Sequence, residues 1–467
     1  MWDAPRINSE SITTLKDKKS FKASIPLGAD LENLFPDERD RSKAQAILQH
    51  IFIKRIQIKR SDQRYGFDKD EGWCPIESKN LGKIARKYKP ILNVLLDAGV
   101  VEVHLNAEGN PSYHAGKYTK LYRLKFKGLK ANAKKKFEIQ RITHPERVAA
   151  IKRYYFQRYD RKKEQLLDQC PWYKRNLDFI ESLWIDVSDE ELIATHPEKA
   201  DYLIEAKNNW NDSINTHVKR DGTHFRVHTH LSNLSGDLRK HLKVRGDDRK
   251  LVYLDVANSH SAFLSMVLKA PEKTLPLVSE FLPLMHKITA HNQANDIDLF
   301  HYDCVRTGQV YERVGKATGL ERDDAKKKML EHVQYCRPRN YKTGQEWLER
   351  ERFQMQFRLI YPTVFTLLWK LKYTRRTELP LMGRLRNRQG KQVLMFNVPN
   401  ILLGRLESRC LLDHVVRYAP MAVGSVHDGF LMPQECEEPF RLHFDQSFRN
   451  LGLEPPQLVN EEEKRTT

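Results

Sequence analysis

The sequence predicts an α+β protein of several domains, and three observations lead there. The chain has 467 residues, more than one hydrophobic core usually organises. Its first half carries apolar residues mostly at helical spacing. From about Asp221 short β-like runs alternate with long helical blocks.

Residues 1–40 are polar with Pro and Gly, so a loosely held arm is expected there. From about Ser42, "AQAILQHIFI" sets Ile47, Leu48, Ile51 and Phe52 on one helical side. Ser78 is suited to cap a helix opening at Lys79 and Asn80. A second helix, "KPILNVLLDAG", has Pro90 in its first turn and Gly99 as its stop. "VVEVHL" and "TKLYRLKF" then read as strands around the turn-rich tip "NAEGNPSYHAGKY". Helix, helix, strand, tip, strand over 41–128 is the order of a winged helix. Lys79, Lys83, Arg86 and Lys87 on the helices, with Lys117 and Lys120 on the tip, would then contact phosphates. The plainer reading is an accessory domain with a solvated basic face.

Residues 129–220 are expected to be helical and are strongly basic. Arg153, Tyr154, Tyr155, Phe156, Arg158 and Tyr159 interleave charge with rings. Such a mix can grip a phosphate backbone and stack on bases, or simply be a helix face with snorkelling side chains. Beyond it, "HFRVHTHL", "KLVYLDVA", "QVLMFNVP" and "AVGSVHDGF" are the candidate strands of a mixed domain running almost to the C-terminus.

Lys and Arg number 80 against 61 Asp and Glu, a net charge of +19 with pI near 9.5. That balance points to a polyanionic partner, nucleic acid before a membrane surface. No apolar run approaches the ~18 residues of a membrane span, so no membrane insertion is expected. The start "MWDAPRINSE" has no basic segment followed by an apolar one, so no secretory leader is expected. Six scattered cysteines without a C-x-x-C pair fit free thiols in a reducing, cytoplasmic setting.

The chemistry centres on "AVGSVHDGFLMP", an apolar hairpin pattern with Asp428 at its middle. A carboxylate there is costly unless it is paired or holds a metal. Asp255 ends the apolar run "KLVYLDVANSH", ahead of an amphipathic helix from Ser261. Two strand-borne aspartates on neighbouring strands repel unless cations lie between them. A pair of Mg²⁺ or Mn²⁺ ions suits such all-oxygen ligands. Between the two lies "GLERDDAKKKMLEHVQYC", whose phasing sets Arg322, Lys326, Met329 or Leu330, and Val333 on one face. Arg and Lys one turn apart can hold a triphosphate. Taken singly, each aspartate is an ordinary strand-end residue and the lysine run an ordinary solvated face.

In this order the three segments resemble the A, B and C motifs of the right-hand palm in family A DNA polymerases and the single-subunit RNA polymerases of phages and mitochondria. "VHDGF" resembles the Val/Ile-His-Asp catalytic hairpin of that superfamily. "NVPNILLGRLESRCLLDHVVRYAP" resembles the segment leading into it, and "HFRVHTHLSNLSGDLRKHL" the Gly-Arg strand segment before motif A. The resemblance covers roughly residues 221–435. It implies a palm at 221–269 and 391–467, fingers at 270–390 and a helical thumb at 129–220. Asp255 and Asp428 would bind two metal ions. Lys326 would contact the triphosphate and help protonate the departing pyrophosphate, with Arg322 on the same phosphates. Arg226 would approach the template–product duplex and His427 the primer terminus. "YCRPRNYKTG", with Arg337, and "LMGRLRNRQGKQ" would add cationic contacts. The implied partners are a DNA template, its nucleic-acid product and nucleoside triphosphates, and the compact plan suggests, by analogy, a phage or mobile-element source.

This chain departs from the family pattern at three positions. Gly429 stands where the DNA polymerases carry a second acid. His260 stands where they carry the Glu that excludes the 2′-hydroxyl, which leaves sugar choice open. Gln334 stands where the base-stacking Tyr is expected; Tyr335 comes one residue late, so Lys327 with Tyr335 is the rival register to Lys326. The rival functions are a non-catalytic DNA-binding initiator or regulator with a decayed palm, and a metal-dependent nuclease. Other signals are weaker. "GQVYERVGKAT" lacks phosphate-loop spacing. His228 and His230 could be half a zinc site but have no evident third ligand, and Asp247 and Asp248 read as a turn.

Overall fold

The computed structural model describes residues 19–57, 73–106, 108–111, 120–125, 137–211, 217–336, 344–385 and 392–460. Lys117 and Arg337 lie outside them. The chain is mixed α+β, mostly helical, with small antiparallel sheets.

β1 (Phe21–Pro26) opens the described chain, followed by α1 (Glu38–Gln57). Asp37 accepts the Asp40 N–H, and acidic first-turn and basic last-turn residues suit the helix dipole of α1. Ile47, Leu48, Ile51 and Phe52 are buried, as their spacing predicts. Next come β2 (Cys74–Pro75), α2 (Ser78–Ile84), α3 (Tyr88–Asp97), β3 (Val101–Val103) and β4 (Leu121–Leu124), with sheet order β2-β4-β3. The expected helix, helix, strand, strand succession is present. Gly99, at φ 64°, ends α3 in the left-handed conformation. The Ser78 cap is not present: Ser78 is the first helical residue, and Glu77 precedes it without a side-chain cap. Lys79, Lys83, Arg86, Lys87 and Lys89 are all exposed on this unit, and Lys120 is half-buried.

The expectation of a loose arm fails for its described part. β1 pairs along its length with β5 (Phe137–Ile142), Phe21 opposite Ile142, and Phe21, Ala23 and Ile25 are core residues. Pro26 falls at the strand end, where a missing N–H is tolerated.

α4 (Pro145–Gln169) starts with Pro at its first turn. Its rings turn inward. Tyr154 and Tyr155 pack on the N-terminal core, and Tyr159 is buried and donates to Glu181 at 2.6 Å. Arg153 alone of the described interleaved residues is exposed; the side chains of Phe156 and Arg158 lie outside the described ones. α5 (Lys174–Ser182), β6 (Leu183–Ile185) and α6 (Ala200–Asn211) follow. A buried polar network joins β1 and α1 to α6. The Ser24 N–H donates to Gln49 Oε1 at 2.7 Å, and Gln49 Nε2 donates to Glu205 Oε1 at 2.9 Å, as does Asn209 Nδ2.

The remaining chain holds β7 (Val218–Arg220), β8 (Val227–Thr229), β9 (Leu242–Val244) and β10 (Leu251–Val256), then α7 (Ser259–Lys269). Asp247 turns between β9 and β10, next to Gly246 at φ 71°. α7 is buried from Ser261 to Leu268, so it is a central helix rather than the amphipathic one expected. α8 (Val310–Thr318), α9 (Arg322–Lys328), α10 (Gln345–Ile360), α11 (Pro362–Lys372) and α12 (Val398–Ser408) carry the fold to β11 (Gly424–Val426), β12 (Gly429–Pro433), α13 (Glu437–Asn450) and β13 (Leu458–Asn460). "QVLMFNVP" does not form a strand; its Met395–Asn397 is a single 3₁₀ turn leading into α12.

β11-β12-β10-β13 is the sheet that organises the second half, antiparallel throughout. Its two faces are both covered. Val252, Leu254, Phe430 and Met432 join the large helical core, while Leu251, Tyr253 and Leu431 face the smaller core around β6 and β9. Burial on both faces is why the strands read as near-continuous apolar runs. All six cysteines are buried and unbridged. No helix among the described residues is long and apolar enough to cross a membrane.

The arm correction is testable. Phe21→Ala is expected to cost about 3–5 kcal/mol, as for a large buried ring. A denaturation midpoint shifted by less than about 1 kcal/mol would contradict a core role for β1.

Candidate functional site

"AVGSVHDGFLMP" folds as a tight hairpin. β11 and β12 pair with Val426 opposite Gly429, leaving His427 and Asp428 as the two-residue turn. His427 sits at φ 54°, a left-handed conformation costing roughly 1 kcal/mol or more in a non-glycine residue. β12 pairs with β10 so that Gly429 lies opposite Asp255, and the Val256 N–H donates to the Asp428 carbonyl at 3.1 Å. The two aspartates predicted to meet are therefore neighbours, but only Asp255 is on a strand; Asp428 lies in the turn that leads into β12. Burial pushes the Asp428 carboxyl up to about 7, and the neighbouring charges of Asp255 and Glu407 push the same way, while Arg226 opposes them.

Gly429 has a steric reason. A Cβ there would stand 2.0 Å from the Tyr253 hydroxyl, whose ring lies on the Asp255 face of β10 with Arg239 stacked 4.9 Å away. The Tyr253 phenol thus fills the space that a side chain at position 429 would need.

Glu407, buried on α12, is the hub that sequence reasoning missed. Arg226 Nη2 lies 2.8 Å from Glu407 Oε1, and the Ser259 hydroxyl donates to Oε2 at 2.9 Å. His260 Nε2 is 3.8 Å from Glu407 and 3.0 Å from Arg226, and its Nδ1 meets the Tyr335 hydroxyl at 2.9 Å. Burial lowers the His260 pKa, and Arg226 adds to the effect, outweighing the pull of Glu407. The Tyr335 phenol is pushed well up by burial. Arg226 is aimed by the β7–β8 loop, which α12 pins. Arg405 Nε donates to the Thr223 carbonyl at 2.7 Å, and the Phe225 ring, at φ 62°, lies 4.2 Å from the Arg405 guanidinium. Gly404 makes room for the loop, since a Cβ there would meet the His224 ring at 2.5 Å.

The cationic helix approaches from the other side. Arg322 and Lys326 lie 5.9 and 5.8 Å from the centre of the Tyr311 ring on α8. Burial raises Tyr311 to about 12, with Asp428 close enough to contribute. Arg322 is also paired with Glu312 at 2.7 Å. Met329 and Val333 are buried as their phasing predicts; Leu330 is only half-buried. Nine positions separate Lys326 from Tyr335, which in a regular α-helix sets them about half a turn apart. Met329–Gln334 is instead a π-helical segment, and the Tyr335 N–H reaches the Leu330 carbonyl at 2.8 Å. The wider turn absorbs one residue, so Lys326 and Tyr335 share Tyr311 as a neighbour. Lys327 is exposed beside them.

Asp255, Asp428, Arg226, His260, Tyr335, Arg322 and Lys326 are thus brought to one region. His427 adjoins it, its ring 5.6 Å from that of His228. His228 pairs with Asp221 at 3.2 Å whereas His230 is buried against Trp210, so the two do not share a ligand. Lys83, Arg86 and Lys120 belong to the N-terminal unit and Arg153 to α4. Among the described residues, no group of three or more His, Cys, Asp and Glu is already set for a metal.

Neither a known protein family nor a curated protein matches this chain.

Glu407 was open to detection as a lone acid among Leu402, Leu403, Leu406 and Leu411 on a helix. Tyr311 and Tyr253 carry no such signal, since rings in apolar settings are ordinary core.

An unfolded aspartate loses its proton near pH 4, but folded Asp428 keeps it to about 7. The folded state thus binds more protons between these values, and stability falls as pH rises through that window. Asp428→Asn is expected to melt about 2–4 °C above wild type at pH 8 without divalent cations, the gap closing near pH 4. Equal melting at every pH would contradict the buried carboxyl. Gly429→Ala is expected to destabilise by about 1–3 kcal/mol, partly restored by Tyr253→Leu. An unchanged melting temperature would refute the close approach.

Proposed function

We propose that this chain is a template-dependent nucleotidyltransferase with a polymerase-type palm around β10, β11 and β12. The observation that carries the reading is the placement of Asp428, in the β11–β12 turn, beside Asp255 on β10, with the cationic helix α9 close by. Such a donor set fits divalent cations: two neighbouring carboxylates repel each other less when a cation lies between them. Asp255 and Asp428 would hold two Mg²⁺ ions. Bound there, the ions would supply activation of a 3′-hydroxyl and stabilisation of the departing pyrophosphate.

The chain's own residues do the rest. Lys326 takes the triphosphate and is positioned to give a proton to the leaving group. Arg322 joins it on release from Glu312. His260 and Tyr335, locked by their hydrogen bond, form the wall nearest the sugar of the incoming nucleotide. Glu407 keeps Arg226 and His260 in register, so that Arg226 faces the acidic pair from a fixed direction. His427, held in a strained turn, is carried to the edge where a primer terminus would lie.

The N-terminal unit supports a nucleic-acid partner independently. Its α1-β2-α2-α3-β3-β4 succession and β2-β4-β3 sheet order are those of a winged helix, with a row of exposed lysines and Arg86 for phosphates. The thumb and fingers of this reading are α4 with α5, and the helices between α7 and α12.

The test is extension of primed and unprimed templates with Mg²⁺ or Mn²⁺, supplied with either NTPs or dNTPs. Asp255→Ala and Asp428→Ala are expected to lose extension beyond detection, and Lys326→Ala about 10²-fold. Binding of DNA without turnover by wild type would favour the initiator reading. Degradation without synthesis would favour a nuclease.

A further inference from the structure

α11 buries one apolar face and carries a second that is only partly covered. Val364, Leu367, Leu368 and Leu371 are buried inward. On its outer side Phe365, Trp369 and Tyr373 recur every fourth residue, forming a ladder one turn per rung. Phe365 and Trp369 stack with centroids 4.2 Å apart and planes 22° from parallel. Tyr373 is 49% exposed. The ladder lines a cleft of about 670 Å³ between α11, α10 and the helix Met285–Thr289, a size common for ligand sites.

The rim of the cleft is cationic. Arg358 comes from α10 and is exposed, Lys370 from α11 is exposed, and Lys287 comes from the Met285–Thr289 helix. Lys370 touches His291 at 2.9 Å, and the neighbouring acid, Glu378, is engaged by Lys287 at 2.7 Å. An aliphatic peptide would be met by Leu and Met rather than by rings set among cations. Exposed aromatic surface with cations lining the same cleft is what a single-stranded polynucleotide requires. The net charge of +19 favours the same class of partner.

We infer that the Phe365–Trp369–Tyr373 cleft is a binding site for single-stranded nucleic acid, with a base against the exposed Tyr373 ring and phosphates on Arg358 and Lys370; the Trp369 ring is covered by Phe365 and by the Lys372 ammonium, 4.5 Å from its centre. The site stands apart from the chemistry proposed at Asp428: binding here needs neither metal nor turnover. It is nevertheless linked to that region through α11. Lys372, buried on this helix, donates to the carbonyl of Cys336 at 3.1 Å and to that of Val333, on either side of Tyr335. A strand seated on α11 therefore lies on the helix that holds the end of the π-helical segment.

The test uses the full chain carrying Asp428→Asn, in EDTA, so that failure of the proposed chemistry cannot mask binding. A fluorescein-labelled oligothymidylate is titrated by anisotropy, beside a duplex of equal length. Tyr373→Ala, and separately Arg358→Glu with Lys370→Glu, are expected to weaken single-strand binding about tenfold each and to leave duplex binding unchanged. Both changes are at exposed positions, and circular dichroism checks the fold. Photocrosslinks from 5-bromodeoxyuridine in the oligonucleotide are expected within 358–373. Unchanged single-strand affinity in folded variants, equal loss for duplex, or crosslinks confined to other segments would overturn the site.

Discussion

One crowded, half-buried carboxyl sets the terms for the second half of this molecule. Asp428 occupies the turn of a hairpin whose strands are apolar on both faces, with Asp255 opposite its neighbour and Glu407 on the helix behind. Desolvation and two like charges act in the same direction on it. What keeps the cluster assembled is Arg226, and nearly everything around Arg226 serves to aim it. Arg405 pins the β7–β8 loop, Gly404 admits His224, and Glu407 receives the guanidinium while anchoring Ser259 and His260.

Gly429, His260 and Tyr335, where the sequence differs from the polymerase motifs it resembles, each have a local physical setting. Gly429 is bare because the Tyr253 phenol fills its space. His260 uses both ring nitrogens, one toward Arg226 and one toward Tyr335, a bridge no carboxylate could make between the same two groups without changing the charge of the cluster. The extra residue before Tyr335 is absorbed by a π-helical segment.

Much of the candidate site was legible in the chain because Asp255 and Asp428 each interrupt an apolar β run, where a carboxylate needs a cause. The helix between them was legible by phasing up to Val333. Periodicity could not reveal the π-helical segment, since one inserted residue looks like a shifted register. Glu407 was hidden for a similar reason: in a buried helix the eye follows leucines, and a single acid passes as a surface position. The arm was misread because "FKASIP" has mixed polarity and a proline, although pairing with a distant strand decides its burial. Rings among cations misled on α4, where the tyrosines turn into the core, whereas on α11 Tyr373 is exposed beside the half-buried Phe365 and Trp369.

The central claim is that Asp255 and Asp428 together hold divalent cations. Its most direct test is Mn²⁺ titration followed by electron paramagnetic resonance near pH 8, with a non-hydrolysable nucleoside triphosphate present. The account predicts bound Mn²⁺ in wild type, reduced at least about tenfold in affinity by Asp255→Asn and by Asp428→Asn. Mn²⁺ bound equally by all three proteins, or by none beyond what the nucleotide alone takes up, would contradict it.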